Sequence, residues 1–356
     1  MLVKLLARID RNKFSPAVIS LTKASDIEDQ VRELGVEVYT LDLLSAHRLV
    51  LEVFRLLRLV SRIRPDIIQG WMLHGNLAAL FAGTCLHIPV IWGVRHSRLL
   101  LDREKKSSVA LERVLRWFSR FPVRIVYNSN NGKRSHEDMG YAPKRSLVIP
   151  NGFDTRRFRP SSTIRQTVRK SLDIAEKTVV IGMIARYHPM KDHRTFLQAA
   201  ALLRRSHAGV TFLLIGRGCE RTNVELVSYV NELLLGSDVQ LIGERSDVHE
   251  MINALDIGTL SSASGEGFPN TIGEAMCCAV PCVVTDVGDS AWIVGDTGIT
   301  VPPQDAAALS RGWRELIDAG PSVRRTMGER ARARILDCFS IDAVTREYEA
   351  AYLQCQ

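Results

Sequence analysis

The chain has 356 residues, of which 46% are hydrophobic and 24% charged, and a formal net charge of +8. That balance excludes a disordered or collagen-like chain, and the length suits two domains of ordinary size. The positive excess points to an anionic partner such as phosphate, nucleic acid or an acidic membrane. The seven cysteines, odd in number and without metal-type spacing, suit a reducing cytoplasm better than a disulfide framework.

The chain opens on a helical stretch, MLVKLLARID, and the strand-like runs SPAVISL, VEVYTLD, PDIIQGW, PVIWGVRH and RIVYNS follow with helices between them. The apolar run 77–94 is about long enough to cross a bilayer, but His87 and Pro89 make it read as helix, turn and strand. Neither a transmembrane span nor a secretory signal is expected. SLVIPNGFDTRRFRP (146–160) reads as a strand followed by a polar, turn-rich linker. Beyond it the short β-branched runs 177–185, 210–216, 238–243, 256–262 and 280–286 alternate with helix-period stretches such as HRTFLQAAALLRRSH and NVELVSYVNELLLG. A last strand-like patch, GITVPP, precedes one long helical pattern over 322–356.

Strict alternation of buried strands and helices predicts α/β architecture with parallel, doubly wound sheets. We expect two such domains, 1–155 and 156–335, with a C-terminal helix over 336–356 crossing back to the first. Ligands would then bind at the carboxyl ends of the strands, on the walls of a cleft. One element is missing. A doubly wound domain normally begins with a central strand, whereas this chain begins with the helix that would follow it. Two strands are therefore expected to lack a partner, and about 15–20 residues, one strand plus a loop, are expected to precede Met1 in the intact protein.

The chemistry concentrates after strand ends. In SGEGFPNTIGEA (264–275) Glu266 and Glu274 follow the strand 256–262. Thr271-Ile-Gly-Glu274 fits a capping box, which would make Glu274 structural; equally, two carboxylates there are suited to gripping sugar hydroxyls. ARYHPMKDH places Arg186 and Lys191 on a strand-to-helix loop, where together they could neutralise a diphosphate. Gly216 and Gly218 in IGRGCER allow a tight turn but make only a weak dinucleotide fingerprint. His74 and His96 each follow a strand of the first half, and a lone histidine is more often structural than catalytic. No metal-binding motif is present, and no cofactor is expected.

Taken together, SGEGFPNTIGEAM with its Glu-x7-Glu spacing, IPNGFDTRRFRP, ARYHPMKDHRTFLQAA, LLIGRG and LIGERSDVHEMINALDIGTL closely resemble retaining glycosyltransferase family 4. The resemblance implies the GT-B fold, two Rossmann-like domains facing a cleft, and a UDP- or GDP-sugar donor bound by the second domain. It implies that Arg186 and Lys191 bind the diphosphate and that Glu274 holds the ribose. Glu266 would contact the sugar, with Gly267, Phe268, Pro269, Asn270 and Thr271 lining it. Gly216, Gly218, Ile242 and Gly243 would complete the donor site. His96 matches the acceptor-side histidine and His74 a second polar group there; His96, Arg186, Lys191 and Glu266 would be the catalytic set. Two departures stand out: Ala279 replaces a usual glycine, and VGDSAW replaces a Gly-Gly loop and its following glutamate.

The acceptor would be a glycan or a lipid-linked saccharide of cell-surface polysaccharide synthesis. Leucine-rich, arginine-studded 43–65 and basic 98–117 suit peripheral contact with an anionic membrane, although an ordinary amphipathic helix packed on a sheet has the same pattern. A nucleotide-sugar epimerase of the same fold or a non-catalytic nucleotide-sugar binder are the alternatives. A nucleic-acid partner is not expected, because the basic residues are spread over both halves.

Overall fold

The computed structural model describes residues 1–22, 26–43, 49–95 and 106–355. They form two compact units, Met1–Gly152 with Ile341–Gln356, and Phe153–Ser340. Unit 1 runs α1 (Leu2–Leu6), β1 (Ala17–Ser20), α2 (Asp26–Glu33), β2 (Glu37–Thr40), α3 (Leu49–Ile63), β3 (Ile68–Trp71), α4 (Met72–Leu86), β4 (Val90–Val94), α5 (Lys106–Phe118), β5 (Arg124–Tyr127), α6 (Asn130–Asp138) and β6 (Ser146–Val148). Unit 2 runs α7 (Ser162–Ser171), β7 (Val179–Ile184), α8 (His193–Arg204), β8 (Val210–Ile215), α9 (Val224–Glu232), β9 (Val239–Gly243), α10 (Val248–Met251), β10 (Ile257–Leu260), α11 (Asn270–Cys277), β11 (Cys282–Thr285), α12 (Ser290–Val294), β12 (Ile299–Val301), α13 (Ala306–Asp318) and α14 (Gly320–Arg334). The last helix, α15 (Ile341–Leu353), belongs to unit 1.

Every strand pairing is parallel. In unit 1 the two-residue period of β4 feeds two cores. Trp92 and Val94 pack with Leu80 of α4 and Leu115 of α5, whereas Ile91 faces Leu5 after α1 begins and Val344 and Tyr348 of α15. The strands form two sheets, β1-β2 and β3-β4-β5-β6, rather than one. β4 is buried at every position, while β1 and β3 are only partly buried, as expected of strands at the edges of a divided sheet.

Unit 2 holds one sheet in the order β12-β11-β10-β7-β8-β9. The chain order reverses between β7 and β10, so their carboxyl ends define the switch point where a doubly wound sheet opens a ligand-binding crevice. The opposite end is closed by Asp256, which accepts from Arg165 (2.6 Å), Arg169 (2.5 Å) and the Val180 amide (2.8 Å).

The helical pattern over 322–356 is not one helix. Residues Ile335–Phe339 widen into a π-helical turn and Ser340 is extended. The Phe153 amide donates to the Phe339 carbonyl (2.9 Å), and Phe153 bridges Ser340 in parallel fashion. That competing hydrogen bond, made across nearly two hundred residues, interrupts a sequence that is otherwise helical. Among the described residues, no helix is long and apolar enough to cross a membrane.

Candidate active site

Three loops converge at the switch point of unit 2. After β7 the chain passes Arg186 and a single 3-10 turn, Pro189–Lys191, before Asp192 caps α8 by accepting from the Thr195 amide (3.0 Å). After β10 come Ser261, Ser262 and Glu266. The Ser261 hydroxyl lies 3.0 Å from the carbonyls of both Lys191 and Asp192, and the Ala263 amide donates to the Met190 carbonyl (2.9 Å). These bonds fasten the first loop to the second.

The fastening brings charge together. Lys191 Nζ lies 2.5 Å from Glu266 Oε1, and the Ser262 hydroxyl donates to the same oxygen at 2.5 Å. Glu266 is 7% exposed and Ser262 fully buried. A nearly buried carboxylate requires such partners, because isolated charge is costly to remove from water. Arg186 is exposed at the end of β7.

The third loop follows β11. The Asp289 amide donates to the Gly267 carbonyl (2.9 Å). Gly288 adopts φ +62°, and a Cβ there would fall 2.4 Å from the Glu266 carbonyl oxygen. The divergent VGDSAW loop therefore clasps the backbone beside Glu266, and glycine is needed at that point of closest approach.

Phe268 turns away from solvent and stacks among Phe153, Trp292 and Phe339 at centroid distances of 5.7–5.9 Å. Its side chain is an anchor, which leaves the backbone of Gly267–Asn270 as the part able to meet a ligand. Helix α11 begins at Asn270 with Pro269 as its N-cap. Glu274 thus lies in the second turn rather than at the third helical position, and the capping-box reading of Thr271–Glu274 does not hold. Glu274 is half-buried.

Gly216 and Gly218 sit where β8 ends, with Gly243 beside them at the end of β9. The Gly216 amide donates to the Gly243 carbonyl (2.8 Å), and a Cβ on Gly216 would meet the Ala185 carbonyl oxygen at 2.3 Å. Its φ of +144° suits glycine. The glycine is required by the neighbouring β7 loop itself. Ile242 packs against the core, half-buried.

In unit 1, His74 lies exposed in the first turn of α4, and His96 lies outside the described residues. Sequence reading passed over one group there and one pair in unit 2. Arg95, at the end of β4, donates to Asn151, lies 3.5 Å from the Tyr348 hydroxyl and sits 5.2 Å over the ring of Trp71. Burial works against its charge. Ser261 and Ser262 were missed as well, because a Ser-rich stretch after a strand reads as an ordinary loop.

Comparison with known proteins places this arrangement. Residues 1–157 match the model described as Glycosyltransferase Family 4, and residues 178–319 match Glycosyl transferases group 1. The chain belongs to the family-4 glycosyltransferases. This glycosyltransferase is 25% identical over 276 residues to the UDP-Gal:alpha-D-GlcNAc-diphosphoundecaprenol alpha-1,3-galactosyltransferase of Escherichia coli, a match covering 75% of this chain and 68% of that protein. It is 30% identical over 246 residues to the D-inositol 3-phosphate glycosyltransferase of Geodermatophilus obscurus, covering 64% of this chain and 52% of that one. The chain thus spans about half the length of the latter relative. Its fold matches Anabaena HepE in complex with UDP at a TM-score of 0.84 and 20% identity, covering 99% and 96% of the two chains. The glycosyltransferase therefore has the GT-B fold. Among its described residues, no group of three or more His, Cys, Asp or Glu side chains could hold a metal ion.

Proposed function

We propose that the protein transfers a hexosyl group, with retention, from a UDP-sugar to a glycan or lipid-linked acceptor in cell-surface polysaccharide synthesis. The observation carrying this reading is the Lys191–Glu266 pair at the switch point of unit 2, fixed from three loops and flanked by Arg186. In this reading Arg186 and Lys191 face the diphosphate, Glu274 accepts from the ribose hydroxyls, and Glu266 and the backbone of 267–271 meet the sugar. Gly216, Gly218, Ile242 and Gly243 border the base. The E. coli relative is a UDP-Gal galactosyltransferase and HepE was crystallised with UDP, which supports UDP over GDP. His74 and His96 are assigned to the acceptor by resemblance alone.

The acceptor hydroxyl attacks the anomeric carbon from the face the diphosphate leaves. As the bond from that carbon to the diphosphate oxygen breaks, the hydroxyl proton passes to the departing phosphate. The protein contributes position and cationic stabilisation of the leaving group, with Arg186 and Lys191 in place of a metal. Binding to Glu266 before the sugar arrives keeps Lys191 placed, so little rearrangement is left for the reaction. The cysteine composition suits a reducing cytoplasm, and a lipid-linked acceptor would bring the protein to the membrane face there.

A thermal-shift panel of UDP-, GDP- and ADP-sugars tests the donor site. A UDP-sugar at about 100 times its dissociation constant should stabilise the protein by about 2.7 kcal/mol. Glu274→Ala should abolish that shift while melting normally without ligand. No shift with any nucleotide, or an undiminished one in Glu274→Ala, rejects the assignment. Product formed only when acceptor is present separates transfer from epimerisation.

A further inference from the structure

Helices α3, α4 and α5 are neighbours in unit 1, with α4 in the middle and packed on β3 and β4. Their inner faces supply core residues such as Leu56, Leu80 and Leu115. Their outer faces are unusual for protein in contact with water. On α3 the stripe Val50, Phe54, Arg58, Arg62 is exposed throughout, with Val50 at 72% and Phe54 at 66%. Helix α4 has no Asp, Glu, Lys or Arg on any side, yet exposes Leu77 and Phe81. A helix without charged residues that carries such side chains is more often buried. Helix α5 and the turn beyond it expose, in order, Arg113, Arg116, Trp117 (65%), Arg120 and Phe121 (61%).

The charges have one sign. Among the side chains described on these helices, over 49–63, 72–86 and 111–118, every exposed ionic one is an arginine. The two acids on these helices point inward, Glu52 bonded to Arg55 (2.7 Å) and Glu112 beside His136 (3.3 Å). Scattered in the sequence, the exposed basic and aromatic residues are carried here by adjacent helices.

We propose that this helical layer docks on an anionic lipid surface. Arginines would lie at the level of the lipid phosphates, Trp117 and the phenylalanines at the interface, and Val50 and Leu77 deeper, the arrangement of an interfacial amphipathic element. Other occupants fit less well. A second copy related by a two-fold axis would set arginine against arginine. A nucleic-acid strand could stack on the aromatic rings but would leave the aliphatic residues wet. The proposal needs no sugar donor, so it stands or falls apart from the glycosyltransfer reading.

Sedimentation of the full chain with phosphatidylglycerol vesicles, and with phosphatidylcholine vesicles for comparison, tests it. The protein should bind the former, release with salt, and shift its tryptophan emission to the blue. Arg113→Glu/Arg116→Glu/Arg120→Glu should weaken binding by about a hundredfold or more, at roughly 1 kcal/mol per basic residue. Trp117→Ala/Phe121→Ala should weaken it and remove most of the blue shift. Both variants should melt as the parent does, since the altered side chains are exposed. The matched variant Arg311→Glu/Arg314→Glu/Arg325→Glu, on α13 and α14 of unit 2, should still bind. Indifference to lipid charge, or equal loss in the matched variant, overturns the proposal. So does a dimer that Trp117→Ala/Phe121→Ala converts to monomer, or an oligonucleotide affinity that the same substitutions remove without effect on vesicles.

Discussion

His193 opens α8 directly after the Asp192 cap, its ring 5.0 Å from that of Tyr187 and Nε2 3.4 Å from the Cys219 thiol. Burial, reinforced by the charge of Lys191, holds its pKa down at about 4 against an ordinary 6.5, and the positive end of α8 acts in the same sense. The unfolded chain therefore binds a proton that the folded chain refuses. The penalty is nil above pH 6.5, grows as pH falls, and levels near pH 4 at roughly 3 kcal/mol. Denaturant titrations from pH 7 to pH 4 should show this loss, and His193→Gln should flatten it. A parent protein no less stable at pH 4.5 than at pH 7 would contradict the assignment. At this scale the sequence was partly legible. Glu266, Glu274, Arg186 and Lys191 stand out by position after strand ends. The meeting of Lys191 with Glu266 could not be read, because it depends on Ser261 fastening two loops seventy residues apart. The cost of Ala279 could not be read either: it holds φ +58°, where a glycine would avoid about 1–2 kcal/mol of strain.

The twelve strands among the described residues lie within the β-branched runs that the sequence presents, because a strand buried on both faces must be apolar at successive positions. What the runs do not encode is pairing. β1 and β2 pair only with each other in the described sheets, and a two-stranded sheet is marginal alone. The break in the final helix was equally hidden, since its cause is the distant Phe153. Amide exchange should expose the difference between strands. The β1–β2 amides should exchange at least about a hundredfold faster than those of β4, β7 and β8, which lie inside their sheets. Uniform protection across the two sheets of unit 1 would show that the division has no energetic weight.

Unit 1 is discontinuous, because α15 returns to it after the whole of unit 2. Val344, Tyr348 and Tyr352 fill the core beside Leu5, Ile91 and Val126, Tyr348 stacks on Trp71 at 6.1 Å, and the Tyr352 hydroxyl donates to Gln69. Losing one large core side chain costs about 3–5 kcal/mol, and an ordinary domain holds only about 5–15 in total. Removing 341–356 should therefore abolish folding of unit 1 while unit 2 melts as before. Calorimetry reads this as the loss of one of two transitions; both persisting would refute it.

The same connectivity sets a timetable for synthesis. Ile149 emerges from the ribosome early, but its core partners in α15 follow only after the 188 residues from Phe153 to Ser340. At roughly 5–20 residues per second that is a wait of about 10–40 s. Throughout it, the domain begun first stays open with apolar strands uncovered, while the domain begun second can close. The nascent chain is a natural client for chaperones that shield its N-terminal part until translation ends.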